Sequence, residues 1–402
     1  MKPVTGVRLL RTHATSVVMI VTTAGVTAYG VYSTPDRTWP NLLIGGFSLT
    51  SVAVSAIAFL AVQRLSGARW SASLRRIPEA VMSVLPAAAL LMLGLLLGRQ
   101  WLYPWSHPGA FAHTPAIAGK VQYLQFPFVV ARMVAVLLAW GIFAVLFRRA
   151  SLEQDRHPGA SLRYDARLNR YAALFVQVFA LSFTLAANDW IGSVDPGWFS
   201  TIFALYLFAG AFVQGIAAIT FATILVRERG LLREYIDQQR LHDLGKMLFA
   251  FSTFWAYLWT CQYLLIWYGN IPEEVTHYVT RTNGPWLILF LLNPAINWLI
   301  PFIVLLSSRA KRSAAALGAM SLLLLAGRWL DLYVLVMPSL WSGPRFGLPE
   351  IAVAVGCGAL LYLAFVRSIA SAPVVPLADP VLTAQSPSVV IARSSRWLPP
   401  SA

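Results

Sequence analysis

The chain has 402 residues, 58% of them hydrophobic and 12% charged, with a mean hydropathy of +0.65 and a formal net charge of +15. Soluble chains carry about 25% charged residues, so this composition excludes an ordinary soluble domain and points to an all-α polytopic membrane protein. So basic a balance would suggest nucleic acid in a soluble chain, but here the excess sits between apolar runs, as the positive-inside bias requires.

Ten apolar spans follow in chain order, at about 14–32, 42–62, 80–98, 126–147, 171–190, 198–226, 247–269, 286–306, 314–337 and 350–367. Each is long enough at 1.5 Å per residue to cross a hydrocarbon layer of about 30 Å. The first, Ala14–Val31, lacks a small-residue cleavage site and reads as a retained helix. With the N-terminus inside, 24 of the 31 Lys and Arg fall in inside segments, five fall outside, and Arg132 and Arg328 lie within spans. The predicted topology is therefore N-in and C-in. Beyond Arg367 the chain is rich in Pro, Ser and Val. The segment 371–402 is expected to be a tail, disordered or docked on a partner.

The seventh span begins at charge (His242, Asp243, Lys246) and ends among aromatics before Pro272, which cannot continue a helix. A weak internal repeat accompanies it. Spans five and nine each place an Asp seven residues before a Pro, Asp189 with Pro196 and Asp331 with Pro338. Spans three and seven each carry an acid at the inside mouth, Glu79 and Asp243, and spans four and eight each carry a proline near the outer end, Pro127 and Pro294. Spans two to five (about 42–190) and six to nine (about 198–337) then form two four-helix bundles within one domain, 1–370. Spans one and ten are peripheral.

Charges inside spans cost roughly 2.5–3.5 kcal/mol each on insertion scales and tend to be functional. Arg132 and Asp189, and Arg328 and Asp331, lie in the outer third. Each set reads as a proton-relay site or as a structural ion pair, the second because residues three apart on a helix face each other. At the inside mouth His242, Asp243 and Glu79 are further relay candidates, although an acid in a first turn is also favoured by the helix dipole. Hydroxyl and amide side chains between the mouths (Ser252, Thr253, Tyr257, Thr260 and Gln262; Gln177, Ser182, Thr184 and Asn188) would carry a water-linked path or bond neighbouring backbone.

Cys261 and Cys357 lie in apolar spans without a Cys-x-x-Cys pattern, which argues against a disulfide framework, an iron–sulfur cluster or covalent haem on this chain alone. His13, His157 and His242 fall at inside edges and His107, His113 and His277 outside, so no mid-membrane pair is available for b-type haem. No metal or cofactor is expected here. Glu273 and Glu274 read as a solvated pair or a partner contact.

The runs His242-Asp243-Leu-Gly-Lys, Phe254-Trp-Ala-Tyr257 and Gln262-Tyr-Leu-Leu-Ile-Trp-Tyr-Gly-Asn-Ile-Pro-Glu-Glu274 resemble those of NrfD-like membrane subunits of bacterial quinol:cytochrome c oxidoreductase, alternative complex III. Asp189-Trp190, Asp195-Pro-Gly-Trp-Phe-Ser-Thr201, Arg76-Ile-Pro-Glu79 and Gly327-Arg-Trp-Leu-Asp-Leu-Tyr333 share the resemblance, which covers roughly residues 64 to 338. It implies ten helices in two four-helix bundles. It implies the sister subunit without direct iron–sulfur contact, assisting quinol oxidation, proton conduction and assembly in the bacterial cytoplasmic membrane. The expected partners are the related large membrane subunit and the multihaem cytochrome c and iron–sulfur subunits, with quinol, haem c and clusters held there. This subunit is then non-catalytic or proton-conducting. The competing readings are a secondary transporter, since repeats with buried charge also build transporters, and a pure scaffold.

The charge count makes one direct prediction. Reporter fusions after Arg367 should report cytoplasm and fusions within Asn270–Pro285 should report exterior; the reverse pattern would invert the topology.

Overall fold

A hydrocarbon layer offers backbone N–H and C=O groups no partner, so a chain that crosses it many times is driven into helices that satisfy those groups internally. The computed structural model, which describes residues 6–107, 109, 120–230 and 232–385, contains helices and turns and no strand among those residues. The long helices are α1 (Gly6–Ser33), α2 (Pro35–Leu65), α3 (Trp70–Leu102, alternating α and 3-10 turns), α4 (Phe126–Arg156) and α5 (Pro158–Val194). They continue with α6 (Phe203–Glu228), α7 (Gln238–Gly269), α8 (Gly284–Leu306), α9 (Ala314–Ser339) and α10 (Leu348–Ala370). An outer helix, Pro272–Thr282, joins α7 to α8.

Among the described residues nine of these are long and apolar enough to cross a membrane, and the protein is an all-α multi-pass membrane protein in contact with lipid. The tenth, α7, is 32 residues long but carries Trp255, Trp259, Gln262, Tyr263 and Trp267, which lower its hydropathy without shortening the helix. It stops where expected. Asn270 adopts the left-handed conformation at φ 47° and its N–H bonds to the Ile266 carbonyl, with Pro272 beyond.

Several helices run further past the apolar stretch than hydropathy indicates. The basic segment between spans four and five, from Arg148 to Arg170, is mostly helical, because α4 reaches Arg156 and the α-helical part of α5 begins at Ser161. Hydropathy marks where the bilayer ends, while Arg and Glu remain good helix formers in water. The helix of α7 likewise starts early. Asp237 is its N-cap, accepting from the Arg240 N–H, so Asp243 stands past the first turn and is not a cap.

Helices α2 to α5 close one four-helix ring and α6 to α9 a second, with α1 and α10 paired on the flank against α2 and α3. The rings meet along α2 and α6, both almost wholly buried. The seam is built from small residues: a Cβ on Gly215 would sit 2.4 Å from the Ser55 Cβ, so only glycine permits this approach. An aromatic stack from Trp140, Phe175, Phe179 and Phe183 fills the first ring, and the Trp140 indole donates to the Ser182 hydroxyl at 2.9 Å. On the flank Glu350, fully buried, receives a two-pronged bond from Arg37 at 2.8 and 2.7 Å and a third bond from Asn41 at 2.9 Å.

The end of the molecule that carries the basic loops is tied by one ionic network. Glu79 accepts from Arg76 at 2.6 Å, from Arg148 at 2.9 Å and from the Ser151 hydroxyl at 2.5 Å, and Arg75 approaches it to 3.6 Å. Arg76 also pairs with Asp155, and Arg75 with Asp379 at 2.8 Å. Three guanidinium groups meet three carboxylates, so the buried network is neutral. It also revises the expectation for the tail. As far as Gln385 the tail docks on this chain, with the Leu377 and Ala378 N–H groups donating to Asp155 at 2.9 and 3.3 Å. Residues 386–402 lie outside the described residues.

Replacing one member of a buried ionic network strands the others. Glu79→Gln should therefore lower stability by about 3–5 kcal/mol and expose the segment after Ser371 to protease. Thermal unfolding and limited proteolysis of the membrane-embedded protein check this, and an unchanged melting temperature with an intact tail would contradict it.

Candidate functional site

Each four-helix ring holds one arginine–carboxylate pair at the end opposite the basic loops. In the first, Arg132 on α4 donates through Nε to Asp189 Oδ2 on α5 at 2.6 Å. Asp189 sits in a π-helical turn, Ala187–Ile191. Such a turn widens the helix by one residue, and turns of this kind occur often at functional sites. The asparaginyl and seryl neighbours hold the turn locally: Asn188 donates to the Thr184 carbonyl and Ser193 to the Asp189 carbonyl. Asp189 is 2% exposed, whereas the Arg132 side chain is 20% exposed. Arg132 also donates to the Tyr123 carbonyl at 2.9 Å and lies 3.8 Å from that ring's centre. The second carboxylate oxygen of Asp189, Oδ1, is buried without a hydrogen bond. Burial, and then Asp189 itself, push the Tyr123 phenol up to about 12, so the phenol stays protonated beside the carboxylate.

The pair in the second ring is differently dressed. Arg328 pairs with Asp331 Oδ2 one turn along α9. Asp331 Oδ1 accepts from the Tyr206 hydroxyl at 2.5 Å and from Asn293 at 2.6 Å. Asn297 bonds Asn293 Oδ1 at 2.7 Å and the Gly327 carbonyl at 2.9 Å. Both asparagines come from α8, where Pro294 interrupts the ladder and a π-helical turn, Ala295–Leu299, follows. The Arg328 guanidinium lies flat against α6 because position 210 is glycine: a Cβ there would meet Nη2 at 2.0 Å. Asp331 and Arg328 are each 1% exposed, so this pair is sealed.

The two halves therefore agree in placing an ion pair, but not in detail. The prolines read as equivalent differ in role, since Pro127 begins α4 while Pro294 lies inside α8. The acids at the basic end differ as well. Glu79 is the hub of a buried network, whereas Asp243 is half-buried and paired with Lys246 at 2.7 Å. His242 stands beside it, half-buried, and no hydrogen bond or ion pair links either residue to Glu79. Several members of the polar ladder bond their own helix backbone. Ser252 and Thr253 bond the Phe249 carbonyl, Thr184 bonds the Ala180 carbonyl, and Tyr257 faces outward.

The outer helix contributes a group that the sequence reading left aside. A cavity of about 20 Å³, room for about one water, lies between Asp331, Asn293 and Tyr206 on one side and Gln262, His277 and Arg281 on the other. Arg281 caps the end of α9, donating to the carbonyls of Val334 at 3.0 Å and Leu335 at 2.5 Å and to Ser339 at 3.1 Å. His277 stacks on Trp198 at 4.0 Å and meets Asp195 at 3.4 Å. Burial, with Arg281 adding to it, lowers the His277 pKa to about 3, so the ring is neutral at pH 7. Asp195 is held low despite burial by His277, Arg281 and Lys120. The signal was present in sequence: Arg281 is an arginine on the wrong side of the charge bias, and His277, Tyr278 and Arg281 share one face of an amphipathic turn while Glu273 is exposed. His113, also placed outside, lies beyond the described residues.

No known family profile matches the chain, and no curated protein matches it. Fold and site together define a polytopic all-α membrane protein with one buried arginine–carboxylate pair at the same end of each of two four-helix rings.

The depressed His277 pKa has a consequence with a definite sign. The folded value, about 3, lies below the unfolded value of about 6.5. Between these values the unfolded chain binds the extra proton, so stability falls as pH drops from about 6.5 towards 3 and is fully present above 6.5. In His277→Gln the melting temperature should depend less on pH across this window; an identical slope in both proteins would show that His277 is not the group responsible.

Proposed function

We propose that the chain is an integral membrane subunit of a respiratory quinol:cytochrome c oxidoreductase of the NrfD-like type, in the bacterial cytoplasmic membrane with both termini inside. In this reading Asp189 exchanges protons near the outer surface, while Asp331 holds the second ring together. The long motif from His242 to Glu274 supports the family reading. The observation that carries the division of roles is the contrast between Asp189, bonded by one half-open arginine with the Tyr123 phenol beside it, and the carboxylate of Asp331, bonded by three buried donors.

A carboxylate with an unsatisfied lone pair accepts a proton more readily than one saturated by donors, because each donated bond favours the charged form. Arg132 reaches towards the surface and the Tyr123 backbone, so it can follow a change of charge at Asp189 without leaving a sealed cavity. Arg328 cannot, since α6 and Trp255 enclose it. Among the described residues no group of three or more His, Cys, Asp or Glu is arranged to hold a metal. In this reading quinol, haem c and iron–sulfur clusters belong to the sister membrane subunit, the multihaem cytochrome and the iron–sulfur subunit. A scaffold role is the second reading, and the observation that favours it is that all four intramembrane charges are paired.

The complex purified from its native membrane should contain haem c and iron–sulfur subunits; a solitary chain would refute the assignment. In that complex Asp189→Asn should assemble and slow quinol oxidation or reduce proton release. Asp331→Asn should instead lose about 3–5 kcal/mol of stability, as expected when a buried pair is broken, and assemble poorly. The double change Asp189→Asn with Arg132→Gln separates the two readings of Asp189. Restored assembly with normal turnover would leave it a structural residue.

A further inference from the structure

The basic end contains a cavity of about 220 Å³ that neither ion pair uses. It lies where α2 ends, α3 begins and α5 enters, with the docked tail as its remaining wall. These are the positions at which the spans leave the apolar layer, so the cavity stands at the depth of lipid headgroups. Its volume is far more than a single water needs and less than the roughly 300–1,000 Å³ that encloses a whole drug-sized ligand. A headgroup fits that interval.

The lining carries charges of both signs. Arg64 pairs with Asp165 at 2.9 Å, and Arg75 pairs with Asp379 at 2.8 Å. Arg75 is 5% exposed; its Nη2 has no hydrogen-bond acceptor, and its Nε lies 3.6 Å from Glu79, beyond hydrogen-bond distance. Gln63, 7% exposed, donates to the Met247 sulfur, and its Oε1 has no donor. Buried polar groups left without partners in this way call for a bound species. The orphaned donors ask for an anionic oxygen, and the orphaned acceptor asks for an N–H or O–H. Phe59 and Leu60 supply apolar lining.

We propose that this cavity binds the zwitterionic headgroup of an inner-leaflet aminophospholipid, with the phosphate at Arg75 and the ammonium turned towards Gln63 and the carboxylates. The neutral balance of the four charged side chains selects a zwitterion over an anionic lipid. The tail segment carrying Asp379 closes the site, so its docking and lipid retention are coupled. This site is independent of the proposed respiratory role.

The test uses the full chain in nanodiscs that contain phosphatidylethanolamine and phosphatidylglycerol in equal amounts, released into native mass spectrometry. Wild type should retain one phosphatidylethanolamine, at least tenfold above phosphatidylglycerol. Ala72→Leu fills the cavity and Gln63→Leu removes the orphaned acceptor. Each should cut retention at least tenfold, and the one that keeps the wild-type melting temperature decides. Equal retention of the two lipids overturns the proposal, as does undiminished retention in the correctly folded variant. Saturable binding of inorganic phosphate that phosphatidylethanolamine does not displace would also overturn it, by showing free phosphate to be the ligand.

Discussion

A charge in a low-dielectric helix bundle has to be neutralised where it sits, and that requirement shapes this molecule. Taking an ion out of water carries a penalty of several kcal/mol that only a close, well-bonded counter-ion offsets. Arg132 with Asp189, Arg328 with Asp331, Arg37 with Glu350, and the three-arginine network around Glu79 each meet the requirement with bonds between helices or along one. The backbone accommodates them. Gly210 leaves room for a guanidinium, a π-helical turn carries Asp189, and on α8 Asn293 bonds Asp331 while Asn297, in the turn after Pro294, bonds Asn293. The apolar packing supplies most of the burial, and the ion pairs link several of the helix faces that meet.

The two rings show how one arrangement diverges under different surroundings. In the first ring the pair remains in touch with the surface and one carboxylate oxygen stays unbonded. In the second, a tyrosine, an asparagine and an arginine saturate the carboxylate, and the outer helix lies above it. The same charges thus stand in one site that opens towards the surface and one that ties three helices together. The cavity below the outer helix brings Asp331 within one water of the His277 and Arg281 face, but His277 is neutral and Arg281 is committed to capping α9.

Much of this was legible in the sequence, and the omissions have physical causes. Hydropathy marked the membrane-spanning stretches because the bilayer selects for it, and the rarity of intramembrane charge picked out Arg132, Asp189, Arg328 and Asp331. Hydropathy does not give the helix ends in water, which is why α4, α5 and α7 run beyond their apolar spans. A single acid at a helix mouth looks the same whether it caps or anchors, so Glu79 and Asp243 seemed alike although one is a hub and the other a surface partner. Glu350 with Arg37, and Asp379 with Arg75, join residues some three hundred positions apart, a distance over which one sequence carries no pairing signal.

The claim on which the proposed function rests is that Asp189 takes up and releases a proton during turnover while Asp331 serves only to hold the second ring. Infrared difference spectroscopy of the intact complex, before and after addition of quinol, tests it directly. The account predicts a protonated carboxylic acid C=O band that disappears in Asp189→Asn and persists in an Asp331 variant that remains folded. A difference spectrum without such a band, or one in which the band follows Asp331 instead, would contradict it.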